Sequence, residues 1–188
     1  MPVTFTQTAT GVTGGVQQAY ALQHDPLLEG QLSDIRDNTI GTYVNETGAV
    51  LAFGNIVTYA SGGTVDNSAK TVAGTGETVV GINVLTYVDE TALDSNSRPG
   101  VKDKQALNVL NEGAIAVYVH GSVTPASAVR VIHTATGTKY AGQFHATSIS
   151  GKTAVLSNAR YLTSAASGLA ILELNGPSFT LTADTTTA

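Results

Sequence analysis

Alternation with a period of two runs through the middle of the chain. Val80, Ile82, Val84 and Val88 share one face of a segment whose other face carries Gly81 and Asn83. Ile115, Val117 and Val119 alternate with Ala114, Ala116, Tyr118 and His120, and Val129 with Val131 and Ala170 with Leu172 and Leu174 repeat the pattern. Successive side chains of a strand point to opposite faces, so this spacing predicts strands packed on a core. Thr, Val, Ile and Tyr recur, and such β-branched and aromatic side chains suit a pleated surface. Turn-forming clusters interrupt the runs at Ser61-Gly62-Gly63, Gly74-Thr75-Gly76, Asn96-Ser97-Arg98-Pro99-Gly100, Thr136-Gly137 and Ser167-Gly168. Strands are therefore expected near 49–59, 78–88, 105–110, 113–120, 128–134, 140–147, 153–162, 169–174 and 178–182. Within Leu156–Ser167 the alanines also suit a helix, and both readings stand.

Many short strands with no helical period between them predict a mainly β fold: an antiparallel jelly roll or a related β-barrel or sandwich. The body is expected over 37–175, after an extended N-terminal arm, 1–36, and before a C-terminal strand and polar tail, 176–188. Its expected core is Val50, Ala52, Ile56, Val80, Ile82, Val84, Ile115, Val117, Val119, Val129, Val131, Leu172 and Leu174. Asp184–Ala188 reads as solvated tail. In the arm, Phe5, Val12, Val16, Tyr20 and Leu22 are too isolated to build a core, whereas Leu27, Leu28, Leu32 and Ile35 can dock a short irregular segment. Two readings fit: a frayed terminus, or an arm that orders against neighbouring subunits. Asn45-Glu46-Thr47-Gly48-Ala49-Val50 echoes Asn111-Glu112-Gly113-Ala114-Ile115, and both read as turns leading into strands.

Composition narrows the chemistry. Charged residues make up only 12% and hydrophobic ones 42%, against a wholly disordered chain. Nine Lys and Arg are scattered among 14 Asp and Glu, for a formal net charge of −5. Nucleic-acid binding requires clustered cations, so no nucleic-acid partner is expected. No apolar run approaches the roughly 20 residues of a membrane span, and Met1–Thr10 shows no secretory leader pattern. The absence of cysteine excludes disulfides and thiolate chemistry within this sequence.

Motifs for catalysis or cofactors are incomplete. Gly151-Lys152-Thr153 resembles the end of a phosphate loop, but Ala146 stands where that motif needs glycine. A hairpin turn is expected there, and Gly74-Thr75-Gly76 likewise leads into a strand. His24, His120, His133 and His145 form no metal-binding pair by spacing. Asp89, Glu90 and Asp94 read as a solvated acidic loop without the order of a calcium site. No Gly-x-Ser-x-Gly elbow occurs. Tryptophan is absent and aromatics are only 6%, so the platforms that usually hold sugars are missing. Asn45-Glu46-Thr47 is a sequon read as chance. No catalytic residue, cofactor or metal is assigned.

The ordered set of segments resembles the capsid cement, or decoration, proteins of tailed bacteriophages. The matching features are the Thr/Gln/Gly arm, Gly48–Val57, Val79–Ile82, Val109–Val117, Val123–Val131, Lys152–Leu162 and Gly168–Asn175. The resemblance implies a non-enzymatic structural virion protein on the outer surface of a capsid, bridging adjacent major capsid proteins. It implies a homo-oligomer, with a trimer favoured over a dimer. Partner contacts are expected along the arm at Phe5, Val12, Val16, Tyr20, Leu22, Leu27 and Leu28. The alternatives are a β-rich tail or receptor-binding module that binds or hydrolyses glycans, and a minor head structural subunit.

Overall fold

The computed structural model describes residues 27–33, 37–60, 62, 65–86, 92–176 and 179–185. Among them all regular structure is β, and Leu156–Ser167 contains no helix. The strands in chain order are β1 (Thr39–Asn45), β2 (Leu51–Ala52), β3 (Ile56–Tyr59), β4 (Ser68–Thr71) and β5 (Thr78–Asn83). There follow β6 (Gly100–Val101), β7 (Ala106–His120), β8 (Arg130–Ile132), β9 (Phe144–His145) and β10 (Thr153–Leu156). The last three are β11 (Ala159–Tyr161), β12 (Gly168–Leu174) and β13 (Phe179–Ala183).

Eleven strands join in the order β1-β4-β3-β5-β13-β10-β8-β9-β7-β12-β11, while β2 and β6 form a separate ribbon. Pairing is antiparallel except between β1 and β4 and between β7 and β9, which run parallel. Additional β1–β7 and β5–β7 pairings close the ladder on itself twice. One circuit runs β1-β4-β3-β5-β7, the other β5-β13-β10-β8-β9-β7, and they share β5 and β7. The expected mainly β architecture is thus present, with these two parallel contacts added.

Each circuit has its own apolar filling. The smaller core holds Leu51, Phe53, Val57, Ala69, Val80, Val101, Leu107 and Val109. The larger core contains Ile56, Val79, Ile82, Ile115, Val117, Val119, Phe144, Leu156, Tyr161 and Leu172. A strand serving both must change which residues face which side. Along β7, even-numbered Leu110 faces the larger core before residue 111, and odd-numbered Ile115, Val117 and Val119 face it afterwards. The change occurs at a bulge: Thr39 lies opposite Glu112 but Ile40 opposite Leu110, leaving Asn111 as the extra residue. Gly113 at φ 128 supplies the backbone angle, and a Cβ there would collide with the Asn38 side chain.

The neighbouring strand uses the same device. In β5, Gly81 lies opposite Val57 and Val79 opposite Thr58, so Val80 is extra and points into the smaller core. Gly81 has φ 147 and sits against the Leu110 carbonyl. The Asn111 side-chain amide donates to the Val80 carbonyl at 2.5 Å, tying one bulge to the other.

These features explain where the sequence reading differs. Residues 105–110 and 113–120 are one strand, because Asn111-Glu112-Gly113 kinks the ladder instead of reversing it. The echo at Asn45-Glu46-Thr47-Gly48 is a turn, as expected. Its sequon asparagine is buried, and its amide donates to the carbonyls of Ala49 and Val101, both at 2.9 Å. Gly81 and Asn83 belong to no solvent face, since β5 is covered on both sides. Asn83 instead donates to the Leu51 and Ala52 carbonyls at 3.0 and 3.1 Å, holding the β2–β6 ribbon over the smaller core. The predicted 153–162 strand is β10 and β11 with a turn between them, while β1, β4 and β6 went unpredicted. Every expected core residue is buried except Val50, which is half-buried beside its turn. Val88 lies outside the described residues.

The described residues after β13 are held to the body through Asp184. Asp184, read as part of a solvated tail, has a side chain only 1% exposed. It accepts from the Arg130 guanidinium at 2.9 Å and the Thr153 hydroxyl at 3.1 Å. A basic strand residue facing the end of β13 was the reason, and no local pattern announces that pairing.

Two substitutions test this architecture by denaturant unfolding. Val117→Ala should cost about 1–3 kcal/mol, because the side chain is fully buried. Gly81→Ala should cost at least as much, since the added Cβ meets backbone at a φ that L residues avoid. An unchanged midpoint for either would contradict the shared-strand arrangement.

Candidate functional site

The segment Leu27-Leu28-Glu29-Gly30-Gln31-Leu32-Ser33 joins the arm to the body. It lies antiparallel to β7 with Leu32 opposite Ile115, and Leu32 packs on the larger core. Gly30 and Ser33 donate to the carbonyls of Ala116 and Ala114 at 2.8 and 3.1 Å, and Ala116 returns a bond to Gln31 at 2.8 Å. The Leu85 amide donates to the Gly30 carbonyl at 2.8 Å, so the segment is also bound to the end of β5. On this edge of β7, β5 pairs at Leu110 and Val109 and β9 at Val119 and His120. The segment takes the edge between them and fills the seam of the larger circuit.

Beside this arm root is an open pocket of about 330 Å³, lined by Glu29, Arg98, Tyr118, His120, Thr138 and Gln143. Arg98 is engaged with other partners. Its Nε and Nη2 bond Asp94 Oδ2 at 2.9 and 2.8 Å, its Nη1 reaches Asn55 Oδ1 at 3.3 Å, and its guanidinium lies 5.0 Å from the Tyr140 ring centroid. Burial pushes the Asp94 carboxyl up, but the backbone amides of Arg98 and Asn96 and the Arg98 charge outweigh it and hold the group below its ordinary value. Glu29 is in the opposite position. Burial pushes its carboxyl up to about 7, against the pull of Arg98 and with a small push from Asp94. Its Oε1 is buried and has no hydrogen-bond partner among the described residues.

The histidines divide between this wall and elsewhere. His120 Nε2 is 2.9 Å from Gln143 Oε1, and its ring stacks at 6.2 Å on His145 and meets Tyr118 edge-on at 5.0 Å. Burial holds His145 below the ordinary histidine value, with the positive charges of Lys139, His120 and Arg130 acting the same way. His133 pairs with Thr134 away from them, and His24 lies outside the described residues. Among the described residues no three metal-ligating side chains gather. Asp94 belongs to the arginine-bound turn, and Asp89 and Glu90 lie outside the described residues. Gly151-Lys152-Thr153 and Gly74-Thr75-Gly76 are turns into β10 and β5.

Of the expected arm contacts, Leu27 is half-buried and Leu28 is 57% exposed at the start of the root. Phe5, Val12, Val16, Tyr20 and Leu22 lie outside the described residues. The sequence reading missed Glu29 and Arg98. The available signal for Glu29 was a lone acid between Leu28 and Gly30, inside the short run expected to dock.

The described residues thus form an all-β body with the arm root built into its seam. The model of the phage structural cement protein family (E217 gp24/Pam3 gp6) matches residues 16–175, and the chain belongs to that family. A comparison with curated proteins found no match. Among solved structures, a chain from "The capsid of Myoviridae Phage XM1" has the same fold at a TM-score of 0.61. Its sequence is 17% identical, and the alignment covers 85% of this chain and 97% of that one. The suspected family resemblance is therefore correct.

The pocket wall depends on the Asp94–Arg98 pair. Asp94→Ala should lower stability by about 2 kcal/mol, because it leaves a largely buried guanidinium without its main acceptor. Thermal unfolding checks this, and an unchanged transition would mean that Asn55 and Tyr140 suffice to hold Arg98.

Proposed function

We propose that this protein binds the outside of an assembled phage capsid, bridges adjacent major capsid proteins and stabilises the shell without catalysing a reaction. The observation that carries this reading is membership of the structural cement family over residues 16–175, a span that includes part of the arm. The shared fold with a chain from a phage capsid structure supports it. The described body suits a passive clamp. Arg98 and Arg130 are held in internal ion pairs, and the arm root is fixed in the seam.

The mechanism is mass action. A protein that binds the assembled shell but not its separated subunits shifts the equilibrium towards the shell. Many modest contacts reinforce one another once the first has formed, because the rest become intramolecular. The arm residues Phe5, Val12, Val16, Tyr20, Leu22, Leu27 and Leu28 are proposed to supply such contacts over neighbouring subunits. A homotrimer fits this role, since a closed ring presents one arm per subunit to a symmetric junction.

The test is to strip the protein from particles, add it back and record the temperature at which the particles rupture. Added protein should bind and raise that temperature. Deleting residues 1–26, which leaves the root in place, should weaken attachment more than any single surface substitution. A shell that takes up no protein, or ruptures at the same temperature with it, would refute the proposal.

A further inference from the structure

We infer that Glu29 is a protonation latch on the arm: as a neutral acid it allows residues 27–33 to lie in the seam beside β7, and as a carboxylate it loosens them. Glu29 is the one ionisable side chain in this segment. Its neighbours come from three directions. The turn between β2 and β3 brings Gly54, against which the Glu29 side chain packs. The loop before β6 brings Asp94 and Arg98, and β7 brings Tyr118 and His120, with His145 stacked behind. The uncharged Thr138 and Gln143 complete the wall, and Tyr140 lies under Arg98.

The nearest positive charge therefore stands close, but its donors face Asp94 and Asn55 instead of Glu29. A carboxylate formed here would keep its buried Oε1 unpaired, with a second carboxylate, Asp94, nearby. Undocking the root relieves that by returning Glu29 to water. The sign follows from linkage. The docked group holds its proton up to about pH 7, whereas an exposed one loses it near the ordinary 4.5. Docking is strongest below about 4.5, weakens as pH rises through this window and levels off above 7. The undocking constant should rise about sixfold per pH unit between 5 and 7, or roughly 40-fold in all.

Amide hydrogen exchange on the free, full-length protein reads this directly and does not depend on the capsid proposal. After correction for intrinsic rates, protection of Gly30, Ser33 and Leu85 should fall about sixfold per unit from pH 5 to 7, while Leu172 in β12 stays constant. In Glu29→Gln the same amides should show no pH dependence, with His120 retained in both proteins. A flat wild-type profile, or an equal slope in the variant, overturns the latch. Should the variant not fold, carbon-13 titration of the Glu29 carboxyl in the wild-type protein decides: a midpoint near 7 supports the latch and one near 4.5 refutes it.

Discussion

Two cores that share strands impose a constraint that the rest of this fold obeys. A straight strand gives each core a fixed alternate set of side chains, so a strand that passes from one enclosure to another needs one added residue. Here β5 and β7 each insert that residue, at Val80 and Asn111, and the Asn111 amide joins the two insertions at 2.5 Å. Without the insertions, the apolar positions beyond them would face the wrong side of the sheet. The two bulges therefore set the position of Ile115, Val117 and Val119 in the larger core, and with it the stretch of β7 on which the arm root lies.

The arm root inherits its position from this geometry. Between the β5 and β9 pairings β7 has an edge left for another segment, and Gly30–Ser33 occupies it. Arg98 from the 92–100 loop and Thr138 and Gln143 from the 138–143 loop line the open pocket beside the root, so polar side chains placed there are partly removed from water. Arg98 finds acceptors in Asp94 and Asn55. Glu29 does not: its Oε1 has no partner among the described residues, and burial pushes its carboxyl up to about 7.

Much of the body was legible in the sequence, because alternation is a local record of burial. Val80, Ile82, Ile115, Val117, Leu172 and Leu174 were all placed in the core by spacing alone. What was lost has physical reasons. β1 has strand-forming residues, but its exposed and half-buried positions show no clean alternation, and β4 is four residues long with Ser68 and Lys70 in it. Asn111-Glu112-Gly113 has the residues of a turn, and only pairing on both sides of the strand makes it a bulge. Asp184 lies next to Arg130 through contacts 54 positions apart. The candidate site was harder still. Glu29 and Arg98 are distant in sequence, and neither residue alone carries a signal of the pocket they line.

The placement of the root on β7 also determines how the protein carries load. The seam segment and β7 lie side by side, with hydrogen bonds directed across the strand axis. Tension drawn along the root towards its N-terminus is parallel to β7 and acts on these bonds as shear, so that several must yield together. β7 in turn is bonded to β12 through seven successive residue pairs and to β1 along its first half. A pull on the arm is thus spread across the central strand and both enclosures it serves, in the manner of a rope spliced into a beam instead of tied to its end.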